Sequence, residues 1–358
     1  MANFKKFKIV MISLVLSSCA KMDSQTKDFI EVSRPDSTPV YPMEDWKYTS
    51  PENFGYSLEQ LEDVRSYFQK IGGDALMVIK SGYVIIAWGE VAKPIPNFSI
   101  RKSFLNSLYG MGYDSGNISL DVTLAELGID DVQSLTDTEK SATILNLMTS
   151  SSGVYHPGAY ESKEQKGARP PRGSFNPGTF FYYNNWDFNT LGSIYNKLSS
   201  KDLFASFKEN ISDNIHMQDF NLSHTSYVYD NESKFPAYNF KSSARDDARF
   251  GYLYLRKGRW EDQQLISEDW VDMSFKMHIK TADYYYYDYG LLWWIDTTNQ
   301  QYIARGNSGQ YIAVLPKEDM VIVFRADPGS VVNKWLGMRV KPQESFLLIP
   351  KILSTKAE

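Results

Sequence analysis

Ser99 and Lys102 open an apolar run of Phe104, Leu105, Leu108 and Met111. A helix that starts there carries serine and lysine on one face, one turn apart. A serine hydroxyl is a weak nucleophile until a neighbouring base takes its proton. A lysine amine is such a base only where burial or nearby charge keeps it neutral. The helix N-terminus adds a field that favours the developing alkoxide. Ser-x-x-Lys alone is a loose pattern, since Ser24-Gln25-Thr26-Lys27 also fits it. A second candidate, Tyr183-Asn184-Asn185, follows Pro177-Gly178 and presents a phenol to relay protons and an amide to hold a lysine. Tyr229-Asp230-Asn231 fits equally well by spacing, and aromatic clusters such as Phe180 to Tyr183 commonly pack a core.

Order along the chain makes these patterns specific. Ser99-x-x-Lys102, the segment Ala142 to Gly153 (ATILNLMTSSSG), Pro177-Gly178 and Tyr183-x-Asn185 follow one another as in the class C β-lactamase-like serine hydrolases, which this chain resembles. Ser243 to Gly251 (SARDDARFG), Tyr289 to Trp294 (YGLLWW), and Gly306-Asn307-Ser308-Gly309-Gln310 with Pro316 extend the resemblance over residues 46–350. The resemblance implies an acyl-enzyme on Ser99, Lys102 as general base, Tyr183 as proton relay to the leaving group, and Asn185 steadying that network. It implies an oxyanion hole built from the backbone N–H of Ser99 and a second donor at Asn307 or Ser308. Tyr155, His156, Arg305, Ser308 and Gln310 are the candidates for the substrate pocket.

The third motif departs from the common pattern. Most penicillin-binding relatives start it with Lys or His, which holds a substrate carboxylate; here the chain reads Arg305-Gly306-Asn307-Ser308-Gly309. The Gly-x-x-Gly-Gln form is similar to the branch of esterases and 6-aminohexanoate-oligomer hydrolases. The expected substrate is therefore a small ester or amide, with Arg305 offering charge from a neighbouring position. The alternative is a cell-envelope binding or sensor lipoprotein that keeps the penicillin-recognising fold without turnover.

Other chemistries find little support. There is no Gly-x-Ser-x-Gly elbow, and the four histidines form no His-Glu-x-x-His pair. The single cysteine, Cys19, excludes an internal disulfide and a cysteine-based zinc site. The mechanism requires neither metal nor cofactor. A formal charge of −5 argues against a nucleic-acid partner.

The elements that must position these residues are legible too. Residues 1–18 read as a lipoprotein signal peptide: basic Lys5, Lys6 and Lys8, then an apolar stretch, then Leu16-Ser17-Ser18-Cys19. Lipidation of Cys19 anchors the protein to a membrane of the bacterial cell envelope. Residues 19–45, with Pro35, Pro39 and Pro42, read as a tether. The hydrolase domain is expected over 46–356. Ser57 to Ile71 predicts a capped amphipathic helix with Leu58, Leu61, Val64 and Phe68 inward. Ala75–Ile79 and Tyr83–Trp88 around Lys80-Ser81-Gly82 predict a hairpin, and short apolar runs between 290 and 325 predict antiparallel strands before a closing helix near Gln343 to Ser354. The fold expected is an α/β (α+β) sandwich: an antiparallel sheet from about 46–98 and 285–356, flanked by N- and C-terminal helices, with a mainly helical subdomain inserted at about 99–284.

Overall fold

The structure, a computed structural model, describes residues 39–282, 285–329 and 340–357. The expected signal peptide, Cys19 and most of the expected tether lie outside the described residues. The body begins before Trp46. The Tyr41 ring meets Tyr252 and Trp260 with centroids 5.6 and 5.5 Å away, and the buried Arg249 guanidinium donates to the carbonyls of Pro42, Met43 and Glu44.

Ser57 caps helix α1 (Leu58–Lys70) by accepting the Gln60 N–H, and Leu61, Val64 and Phe68 are buried as expected. Leu58 is instead 46% exposed, because at the first helical position it sits beyond the turn that meets the core. Strands β1 (Lys47–Tyr48), β2 (Ala75–Lys80) and β3 (Tyr83–Gly89) follow the N-terminal expectation. Ser81 at φ 52° and Gly82 at φ 87° form the tight turn of the β2–β3 hairpin. Strand β4 (Ile95–Pro96) then leads into helix α2 (Arg101–Asp114).

Between α2 and the closing strands come α3 (Ile144–Met148), α4 (Asn185–Ser199), α5 (Leu203–Phe207), α6 (Ala244–Leu255) and α7 (Glu268–Phe275). This region is not only helical. Strands β5 (Thr225–Asp230) and β6 (Ser233–Ser242) form a hairpin, and with β4 they make a second, three-stranded sheet. Its turn carries no glycine; Asp230 Oδ1 instead accepts the Glu232 N–H at 2.8 Å. Residues Arg259–Trp260 (β7) and Gln263–Gln264 (β8) form a minor hairpin.

The C-terminal strands are β9 (Asp288–Tyr289), β10 (Trp294–Asp296), β11 (Gln301–Arg305), β12 (Tyr311–Leu315) and β13 (Met320–Arg325). The main sheet has the order β1-β3-β2-β13-β12-β11-β10-β9. Strand β2 pairs with β13 through six residues, so the two ends of the chain close one sheet around the inserted region. All its pairings are antiparallel except β1 with β3, which runs parallel at one edge. Every residue of β12 and β13 is buried, because helices cover both faces: α6 packs on β12, β13 and β2, and α1 packs with the C-terminal helix. That closing helix is broken into α8 (Pro342–Phe346) and α9 (Leu348–Leu353); Pro350 has no N–H to continue the ladder back to residue 346.

Candidate active site

The turn that carries Ser99 is built under constraint. Asn97 N–H bonds the Phe240 carbonyl at 3.0 Å, tying the turn to β6. Phe98 then takes φ 49°, a left-handed value that costs a bulky residue about 1 to 3 kcal/mol and persists only where surroundings hold it. Ser99 lies in a short 3-10 turn (Phe98–Ile100) that runs straight into α2. The third-motif loop braces it from the other side. A Cβ on Gly306 would stand 2.8 Å from the Asn97 carbonyl oxygen, so only glycine allows β11 to end this close. Gln310, fully buried, donates Nε2 to the Pro96 carbonyl at 3.3 Å.

Lys102 Nζ donates to Ser99 Oγ at 2.7 Å, which brings the sequence-predicted nucleophile and base together. The amine is also 4.8 Å from the Tyr183 ring centroid and 4.5 Å from that of Phe188. Burial, helped by the positive Arg101 beside it, holds Lys102 well below the ordinary lysine range. A neutral amine can accept the serine proton; an ammonium cannot.

Tyr183 reaches the same point from the opposite wall. Ser150, at φ 54°, donates its hydroxyl to the Tyr182 carbonyl at 2.8 Å and accepts the Asn184 N–H at 3.0 Å, clamping the segment on both sides of Tyr183. The Tyr183 ring stacks on Trp294 at 5.5 Å. Burial raises the phenol pKa, while a hydrogen bond with Ser99 and the charges of Arg101 and Arg305 pull it down. Below the clamp, Asp187 accepts from Ser152 Oγ at 2.6 Å and Asn184 Nδ2 at 2.9 Å; burial drives this carboxyl far above the usual range, favouring its uncharged form.

Asn185 begins α4, and its amide donates to the Tyr160 carbonyl at 2.8 Å, while among the described residues Lys102 bonds only Ser99. Asn185 thus fixes the neighbouring loop to α4. Ser308 N–H donates to the Asn307 side-chain oxygen at 2.9 Å, so that amide is already engaged. Ser308 itself is buried with its hydroxyl unpartnered.

Two of the expected pocket residues turn inward. His156 is 1% exposed, its Nε2 3.6 Å from Glu139, which Arg172 also holds at 2.6 Å, and its ring lies against Trp186. Burial lowers its pKa and favours the neutral ring. Tyr155 packs edge-on against Tyr182 and Phe175, with its hydroxyl buried and unpartnered. Arg305 behaves differently. Its guanidinium stands 4.6 Å from the Trp294 ring centroid and 4.9 Å from that of Phe346, and Nη1 donates to the Tyr285 carbonyl at 3.0 Å. No ion pair joins it to a carboxylate among the described residues, and burial lowers its pKa. Phe181, Tyr285 and Tyr289 complete an aromatic wall around Trp294.

Spacing did not reveal Arg101, Ser150, Asp187 or Trp294. The nearest signal for Arg101, Ser150 and Trp294 was their presence inside segments already singled out by order, whereas Asp187 lies two residues past the Tyr183-x-Asn185 motif. No group of His, Cys, Asp and Glu side chains suited to a metal ion occurs among the described residues.

The family model described as Beta-lactamase matches residues 58–331. No curated protein matches this sequence. Among solved structures, a putative 6-aminohexanoate-dimer hydrolase from Bacillus anthracis aligns with a TM-score of 0.61 at 21% identity, covering 90% of this chain and 88% of that one. A putative beta-lactamase from Bacteroides dorei gives 0.64 at 17% identity, covering 84% and 98%. A class C beta-lactamase mutant gives 0.57 at 16% identity, covering 83% and 96%. At these identities the likeness shows the fold.

Proposed function

The chain belongs to the Beta-lactamase family of serine hydrolases, and from that membership we propose that it cleaves a small ester or amide through an acyl-enzyme on Ser99. The contact of Lys102 Nζ with Ser99 Oγ at 2.7 Å, made by a lysine pushed towards its neutral form, carries this reading. In the first step Ser99 Oγ bonds the substrate carbonyl carbon while its proton passes to Lys102 Nζ. Tyr183, beside both Ser99 and Lys102, hands a proton to the departing alcohol or amine as the carbonyl–leaving-group bond breaks. Water then attacks the acyl carbon, giving a proton to the Lys102/Tyr183 pair, and the pair returns a proton to Ser99 Oγ as the Ser99–acyl bond breaks and the acid leaves. Arg305 offers an anchor for an anionic group on the substrate, and lipidation of Cys19 would tether the domain at the cell envelope.

The test is labelling of the folded protein with a fluorophosphonate, followed by mapping of the modified peptide. Label on Ser99 that disappears in Ser99→Ala and Lys102→Ala supports the mechanism. A folded protein that takes no label, or takes it elsewhere, overturns it and favours a binding role.

A further inference from the structure

Arg101 lies between nucleophile and base in sequence, and it is buried to 3% exposure. Its guanidinium stands 4.2 Å over the Tyr238 ring, Nη2 donates to Asn189 Oδ1 at 3.0 Å, and Nη1 is buried with no hydrogen-bond partner among the described residues. Among the described residues no carboxylate pairs with Arg101 or with Lys102. A desolvated cation with an unpartnered donor and no counter-ion is unfavourable, so a purely structural role would be better filled by an apolar side chain.

Its chemistry suits another purpose. A guanidinium keeps its proton in a protein, whereas an ammonium gives its proton up readily when buried. Where the two share a dry pocket, the lysine is the one that discharges. We propose that Arg101 is a positioning residue whose fixed positive charge keeps Lys102 in the free-amine state that accepts the Ser99 proton. This rests on the acyl-enzyme reading above.

The groups around Lys102 are consistent with that balance. Its own turn supplies Ser99, the segment before α4 supplies the Tyr183 ring, α4 supplies the Phe188 ring, and the preceding residue supplies Arg101. The acid on this side of α4, Asp187, is held towards its uncharged form by burial. Burial is the larger influence on Lys102 and Arg101 the second.

The experiment reads the rate of fluorophosphonate labelling at Ser99 against pH for the wild-type chain, Arg101→Gln and Arg101→Met. Removing a positive charge favours the ammonium, so the acid limb must move to higher pH. A shift of about one unit makes labelling about tenfold slower on the acid side while leaving the alkaline plateau in place. Arg101→Met keeps the bulk without the charge and decides alone if Arg101→Gln does not fold. Arg101→Lys, which returns a positive charge that can itself titrate, should restore the limb partway. A lowered plateau with an unmoved limb, in either folded variant, overturns the proposal and leaves Ser99 and Lys102 in their roles. A wild-type chain with no acid limb overturns both readings.

Discussion

Basic side chains near the Ser99 turn are treated in two opposite ways. Arg325, at the end of β13, pairs with the Asp247 carboxylate and extends Nη2 to the Ile95 carbonyl at 2.8 Å and the Ser242 carbonyl at 3.3 Å. Ser242 Oγ in turn donates to Asn97 Oδ1 at 2.8 Å. Arg101, Lys102 and Arg305 meet aromatic faces instead of carboxylates. The first set uses its charge to fix β4 and the start of the Ser99 turn. The second leaves its charge unneutralised, where it can repel a proton from Lys102 and attract an anion. A scaffold whose buried charges are paired is what allows the unpaired site to keep its geometry, because strain such as that at Phe98 must be held from outside.

The largest expected effect tests this contrast directly. Arg325→Met leaves the Asp247 carboxylate buried without its partner, and breaking such a pair costs about 3–5 kcal/mol, measured by urea unfolding. Lys102→Met removes a buried amine that has no carboxylate partner among the described residues, so it should leave stability unchanged or raised while abolishing Ser99 labelling. If the two substitutions destabilise equally, the distinction between the regions fails.

Next in size is Tyr183→Phe. The ring keeps its stacking on Trp294 and its contact with Phe188, so the midpoint of thermal unfolding should hold. Loss of the phenol removes proton transfer to the leaving group, for which general acid–base catalysis sets a loss of about 10² to 10⁴ in kcat/KM. The loss should be greater for a poor leaving group than for a nitrophenolate, which departs without a proton. Equal losses on both would remove Tyr183 from the relay.

The same contrast explains which features the sequence discloses. Ser99, Lys102 and Tyr183 are legible because the proposed nucleophile and base need one helical turn between them and because the motifs keep their order. The main sheet is legible because β12 and β13 are covered on both faces and read as unbroken apolar runs. The hairpin β5–β6 stayed hidden: two consecutive buried residues, Ala237 and Tyr238, break its alternation, Pro236 lies within the strand, and its turn at Asn231-Glu232 lacks the glycine signal. Arg101 and Asp187 stayed hidden for a different reason. Their role comes from partners absent or present across the fold, Asn189 and Tyr238 for one and Ser152 for the other, and no local spacing encodes that. His156 and Tyr155 looked available because they precede Pro157-Gly158, yet both side chains fold inward.

The smallest expected effect concerns Arg305. Its guanidinium is held flat among Trp294, Phe346 and Tyr287, with one donor spent on the Tyr285 carbonyl. A charged hydrogen bond from it to a substrate carboxylate is worth about 1.5–3 kcal/mol, or about ten- to hundredfold in kcat/KM. Arg305→Met should impose that loss on an ester bearing a free carboxylate and leave its neutral methyl counterpart nearly unaffected. Raising the ionic strength should weaken only the former, though modestly, because the guanidinium is half-buried and poorly screened. Equal losses on both esters would make Arg305 a packing residue of the aromatic wall, and the unpaired charge near Ser99 would then act on Lys102 and Tyr183 alone.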